Sequence, residues 1–224
     1  MKKVFSIFVA AVIIVVSTLS LNAFAADKTK TETLFDKLKT AQEVTVTLKA
    51  GDVKLFGVLP LSATDTIYIK GNKIAYEYGL GGIISARAVY DGEDVYGFLP
   101  ELPLFFVKLN GDAIGKPDVW SLIESASDIT LGVLAYQKSY NETYNNTEYF
   151  VEEFNDRAQV TSKFYYIGDS LKMLRVEDAQ TGSVQYAYFE NISFSVADSI
   201  FAVPAEGFDL TILLKSLFEA FISA

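Results

Sequence analysis

The sequence predicts a mainly β protein (α+β): a curled antiparallel sheet or half-open β-barrel of about ten strands, with two or three short helices on the concave side. Three observations predict it. Short segments alternate apolar and polar residues with a period of two, as in Val44-Thr45-Val46-Thr47-Leu48. Tight-turn pairs separate them, among them Gly71-Asn72, Asp91-Gly92, Asn145-Asn146, Asn155-Asp156, Gly168-Asp169 and Thr181-Gly182. Helical patterns are few and short.

In chain order, Thr31 or Thr33 is a candidate cap for a helix over Leu34 to Lys39, whose Leu34 and Leu38 share a face. A meander of short strands follows: Glu43 to Lys49, a turn at Gly51-Asp52, then Val53 to Val58, Thr66 to Lys70, Lys73 to Tyr78, Ile83 to Tyr90 and Val95 to Leu99. Pro100 to Leu109 is apolar with two prolines and reads as a loop or edge strand. Pro117 suits the first position of a helix over Asp118 to Ser127. Strands resume at about Val133–Tyr140, Glu148–Phe154, Val160–Ile167, Leu171–Glu177 and Val184–Phe194. Asp209 or Thr211 then caps a last amphipathic helix with Leu213, Leu217 and Phe221 on one side.

The start of the chain reads as an export leader. Met1-Lys2-Lys3 is basic, Val4 to Leu21 is almost wholly apolar, and Ala23-Phe24-Ala25 has the small residues a signal peptidase accepts. An uncleaved anchor is the alternative, because the apolar run is nearly long enough to span a bilayer. Cleavage leaves residues 26–224 as one domain, exported to the periplasm or medium, with no stable membrane anchor. Secreted protein beginning at Ala26 is the outcome that this reading predicts; full-length chain in the membrane fraction would overturn it.

Composition narrows the function. The formal net charge is −9, and losing Lys2 and Lys3 takes it to −11. Such a surface repels nucleic acid and anionic headgroups. The chain has no His and no Cys, which removes Ser-His-Asp and Cys-His nucleophiles and the usual zinc and copper ligands. Glu152, Glu153 and Asp156 lack the spacing and glycine of a calcium loop and read as a solvated strand end. No carboxylate pair stands out for glycoside hydrolysis. The expected protein is therefore not an enzyme, and it calls for no cofactor or metal. Three Asn-x-Ser/Thr triplets, at Asn141, Asn145 and Asn191, are read as chance behind a bacterial-type leader.

Two stretches carry a family resemblance. Val89-Tyr90-Asp91-Gly92, followed by Val95-Tyr96-Gly97-Phe98-Leu99-Pro100-Glu101-Leu102, is similar to the strand, Asp-Gly turn, aromatic strand and Pro of the LolA/LolB-like lipoprotein carriers and the LppX-like lipid binders. Leu171 to Glu177, Gly182, Tyr186 to Ile192 and then Phe201-Ala202-Val203-Pro204 with Gly207 resemble the end of those domains. The resemblance implies a half-open barrel whose concave face holds an acyl chain, with helices as a lid. Two departures accompany it. Arg87, Arg157 and Arg175 lie in no motif matching the carriers' buried arginine, and the chain has no lipobox cysteine.

Aromatic pairs at i, i+2 mark the candidate lining. Tyr76 and Tyr78, Phe164 and Tyr166, and Tyr186 and Tyr188 each face one side of a strand. Their rings suit an apolar chain and their hydroxyls a headgroup; ordinary sheet core is the competing account of each pair. Phe105 and Phe106 lie in the apolar Leu102–Val107 stretch and are placed near the mouth. The expected partner is a lipid or acyl chain, or a lipidated protein. A protein partner for a sensing or interaction module with a filled core is the alternative.

Overall fold

The computed structural model describes residues 28–55, 59–111, 135–156 and 160–212. The expected leader over 1–25 and the helices expected over 118–127 and from 213 onward lie outside the described residues. The chain is mainly β. The described residues form twelve strands, one α-helix and one 3-10 turn. They fall into two compact units: Met1–Ala41 with Asp118–Asn191, and Gln42–Pro117 with Ile192–Ala224.

The first unit holds helix α1 (Lys30–Thr40) and strands β7 (Ala135–Tyr144), β8 (Thr147–Asn155), β9 (Val160–Ile167), β10 (Ser170–Asp178) and β11 (Ser183–Ser193). The strands follow one another as antiparallel neighbours. Asn145 and Asn146, both at positive φ, make the β7–β8 turn, as two-residue hairpins require. The helix begins earlier than Thr31. Thr29 accepts from the Glu32 N–H, and the Glu32 carboxylate accepts from the Thr29 N–H. This reciprocal capping box shifts the buried stripe to Thr31, Phe35 and Leu38, rather than Leu34 and Leu38.

The second unit holds β1 (Glu43–Leu55), β2 (Leu59–Lys70), β3 (Lys73–Leu80), β4 (Ile84–Tyr90), β5 (Asp94–Phe98), β6 (Phe105–Asn110) and β12 (Phe208–Asp209). Strands β1 to β6 form an antiparallel meander, and β12 lies parallel to β6. Gly51-Asp52 is no turn. β1 runs through it to Leu55 with a register shift between Lys49 and Gly51, so the glycine serves a bulge inside one long strand. The Pro-rich stretch resolves into a loop followed by β6. The segment after β11 lays Val196 and Phe201 against Ala75 and Val89.

Candidate functional site

Residues directly opposite in a β ladder point to the same side, so register assigns both faces of each sheet. In the second unit one face carries the row Thr45–Tyr68–Ala75–Val89–Tyr96–Lys108, and beside it Thr47–Thr66–Glu77–Arg87–Phe98–Phe106. This face is polar at several positions and paired. Arg87 forms an ion pair with Glu77 and reaches the Ile200 carbonyl. Lys108 Nζ lies 2.8 Å from Asp94 and stacks over the Tyr96 ring. Asp94 is held below the usual carboxylate range, first by its bond from Lys108.

The opposite face is apolar. Val44–Ile69–Ile74–Tyr90–Val95–Leu109 forms one row, and Val46–Ile67–Tyr76–Ala88–Gly97–Val107 the next. The third begins Leu48–Asp65–Tyr78–Ala86. Large side chains stand on β3 and β6, while β4 and β5 present Ala86, Ala88 and Gly97 between them. A Cβ built on Gly97 would meet nothing within 4 Å. The result is a trough between an aromatic wall, Tyr76 and Tyr78, and an apolar wall, Val107 and Phe105. Three strand spacings set the walls about 14 Å apart, ample for an acyl chain. Val44, Ile67, Ile69, Ile74 and Tyr90 on this face are buried. One end opens among exposed Ile84, Phe105 and Phe208.

The tyrosine wall is fixed by a hydrogen bond. Tyr76 donates its hydroxyl to Asp65, diagonally opposite on β2. Burial, and then this carboxylate, push the phenol well above its ordinary range. The Tyr76 hydroxyl is thereby held protonated, and the ring edge is kept in one orientation.

The eight candidate residues do not line one surface. Tyr76, Tyr78 and Phe105 share the trough face. Phe106 is opposite Phe98 and so faces the other side, 6.3 Å from the Tyr96 ring. In the first unit Phe164 and Tyr166 are fully buried on the side that receives α1. Phe164 packs edge-on against Phe154 at 5.6 Å, and Tyr166 shares a 2.9 Å hydrogen bond with Thr31 of the helix. Tyr186 and Tyr188 occupy the reverse side, because the Met173 row joins Tyr165 to Tyr188. They stack on each other at 6.0 Å, and Tyr144 stacks on Tyr186 at 6.3 Å. Arg175 lies over the Tyr186 ring and 2.8 Å from Glu177.

The floor of the trough, Ala86, Ala88 and Gly97, was missed by a search for aromatic pairs. Its signal was present as small residues at every second position of Ala86-Arg87-Ala88 and at Gly97 between Tyr96 and Phe98. Among the described residues, no group of three or more His, Cys, Asp or Glu is placed to hold a metal ion. No described helix is long and apolar enough to cross a membrane.

No protein-family model matches the chain, and no curated protein matches it. Solved structures that resemble it include an uncharacterized conserved protein from Thermus thermophilus, at TM-score 0.38 and 9% identity over 80% of this chain and 97% of that one. A DUF1329 family protein from Desulfovibrio piger matches at TM-score 0.28 and 15% identity, over 76% and 93%. A LolA superfamily protein from Nitrosomonas europaea matches at TM-score 0.26 and 13% identity, over 78% and 98%. The neighbours thus include the superfamily that the sequence resembles; likenesses of this size say nothing of ligand or activity.

Proposed function

We propose that this is an exported, non-catalytic binding protein for an apolar or amphipathic molecule, a lipid or lipidated protein, and that the second unit's trough is its seat. The observation that carries the reading is the floor of Ala86, Ala88 and Gly97 between Tyr76 and Val107, open above Gly97. Each methylene buried there contributes on the order of 0.8 kcal/mol, so retention needs no specific polar motif. Of the candidate lining, Tyr76, Tyr78 and Phe105 belong to this seat.

The interaction-module alternative draws on a different observation. Tyr186 is 42% and Tyr188 37% exposed, beside Arg175, and Tyr and Arg are the residue types that anchor protein contacts.

The neutral probe N-phenylnaphthylamine tests the choice. It should bind with an affinity of about −8 kcal/mol, in the micromolar range. Gly97→Leu should abolish its fluorescence enhancement, since the new side chain enters the open space. The double variant Tyr186→Ala/Tyr188→Ala should bind as the parent does. No binding by the parent, or full binding by Gly97→Leu, would reject the trough and favour the module.

A further inference from the structure

We infer that two copies of this chain pair through the outer edge of β7, antiparallel about a two-fold axis at Tyr140, to form a homodimer. This is independent of the trough. The first support is an open edge. β7 is the last strand of its sheet and is bonded to β8 on one side. Among the described residues, no backbone group bonds to its other side. An edge strand of ten residues presents a row of unpaired N–H and C=O groups, a template for another strand.

Local geometry identifies those groups. Asn145 and Asn146, both at positive φ, make a two-residue turn closed by the Tyr144–Thr147 pair. The closing pair of such a turn is hydrogen-bonded, so Tyr144, Glu142 and Tyr140 aim their backbone groups at β8. Ser139, Asn141 and Thr143 aim theirs outward, because the bonding direction alternates along an antiparallel strand. Edges that avoid pairing carry Pro, Lys or a bulge. The register shift of β7 lies before Lys138. Beyond it, Ser139 to Tyr144 is regular and contains no Pro or Lys.

Charge selects the register. The charged residues of β7 are Lys138 and Glu142, on one face of the sheet with Tyr140 between them. A two-fold axis at Tyr140 sets Lys138 of each copy opposite Glu142 of the other. Ser139 and the partner's Asn141 then exchange backbone hydrogen bonds, since both face outward. Tyr140 meets the partner's Tyr140 as a non-hydrogen-bonded pair, where Cα atoms are about 4.5 Å apart and side chains are closest. An axis at Lys138 or at Glu142 sets like charges opposite each other, and one at Ser139 or Asn141 sets a charge opposite Tyr140. Both charged groups have capacity for the new pair. The Lys138 side chain is 62% exposed and 3.8 Å from Glu153, and Glu142 accepts from the Tyr165 hydroxyl at 3.4 Å.

Sedimentation velocity on the exported protein tests this. Between about 1 and about 300 μM the parent should convert reversibly from monomer to dimer, because one strand edge makes a small interface of the weak class. Lys138→Glu and Glu142→Lys each set like charges opposite each other twice, and each alone should weaken the dimer at least about tenfold. Mixed one to one, the two variants should recover it, since every pair across the edge is then Lys against Glu. That recovery also shows that both variants fold. Asn141→Pro removes an outward N–H and no bond to β8, and should abolish the dimer. A parent that stays monomeric throughout, or a dimer that Asn141→Pro leaves intact, would overturn pairing through β7. Single variants that dimerise as the parent does, or a mixture without recovery, would overturn the two-fold at Tyr140.

Discussion

The two units use the same construction, an antiparallel meander, with different side chains on their central strands. In the first, β9 is buried on both sides: Phe164 and Tyr166 are 1% exposed beneath α1, and Tyr165 between them is 0% exposed on the reverse. Tyr165 meets Tyr149 edge-on at 5.7 Å and packs with Val151 and Met173. In the second unit the equivalent central strands bear Ala86, Ala88 and Gly97 on one face. Side-chain volume, rather than backbone topology, distinguishes the two sheets at these positions.

Attachment of the covering segment differs as well. Helix α1 is held by polar contacts at its N-terminus. Buried Glu152 accepts from the Lys30 and Thr31 N–H groups at 2.8 Å each, satisfying two donors that a helix start leaves open. Lys30 adds an ion pair with Asp169 in the β9–β10 turn. In the second unit Val196 and Phe201 pack on Ala75 and Val89 by apolar contact, assisted by Lys70, which donates to the Val196 carbonyl at 3.1 Å.

The comparison breaks first at large side chains. Phe164→Ala removes a ring from the filled sheet and should cost about 3–5 kcal/mol, read as a fall in the urea midpoint. Gly97→Leu in the second unit should change that midpoint little, and a large loss there would mean that the trough is already filled. Next in size is Glu152→Ala. It strands the buried Thr31 N–H and the part-buried Lys30 N–H and should cost about 1–3 kcal/mol, with amide exchange accelerating in α1 before the strands. Exchange unchanged across residues 30–40 would show that the cap does not hold the helix.

The smallest expected effect is alkaline. Burial, and then the Glu142 carboxylate, push the Tyr165 phenol up to about 12. A hydrogen bond with Tyr144 followed by burial does the same for Tyr188, again to about 12. Both folded values lie above the ordinary value of about 10. Their contribution is therefore complete below pH 10 and lost as pH rises through about 12. Phenolate absorbance should show a late-titrating class that Tyr165→Phe reduces. Titration of every tyrosine near its ordinary value would contradict the packing of this face.

Much of the fold was legible in the chain. The strands from Thr147 onward appeared almost at their observed bounds, whereas β7 runs four residues beyond its expected end at Tyr140, because Asn145-Asn146, Gly168-Asp169 and Thr181-Gly182 are local turn signals and period-two alternation is local too. Gly51-Asp52 misled for the same reason: a glycine serves a turn and a bulge alike, and only pairing with Ala63 and Ser62 distinguishes them. The cap lies at Thr29 rather than at the expected Thr31 or Thr33, because its partner, Glu32, acts through geometry that several threonines could have offered.

The sequence by itself determined the mainly β class, the absence of His and Cys chemistry, the acidic balance, and the identity of aromatic pairs sharing a strand side. It could not say which side. Phe164 and Tyr186 obey the same i, i+2 rule, yet one lies under a helix and the other is exposed. Sidedness is set by long-range register, Met173 opposite both Tyr165 and Tyr188, and by Glu152 fastening α1 across more than a hundred residues of chain. The proposed trough, likewise, rests on pairing that puts Ala88 beside Gly97 and both between Tyr76 and Val107. No local pattern encodes a space; it is made where strands distant in sequence bring their smallest residues together.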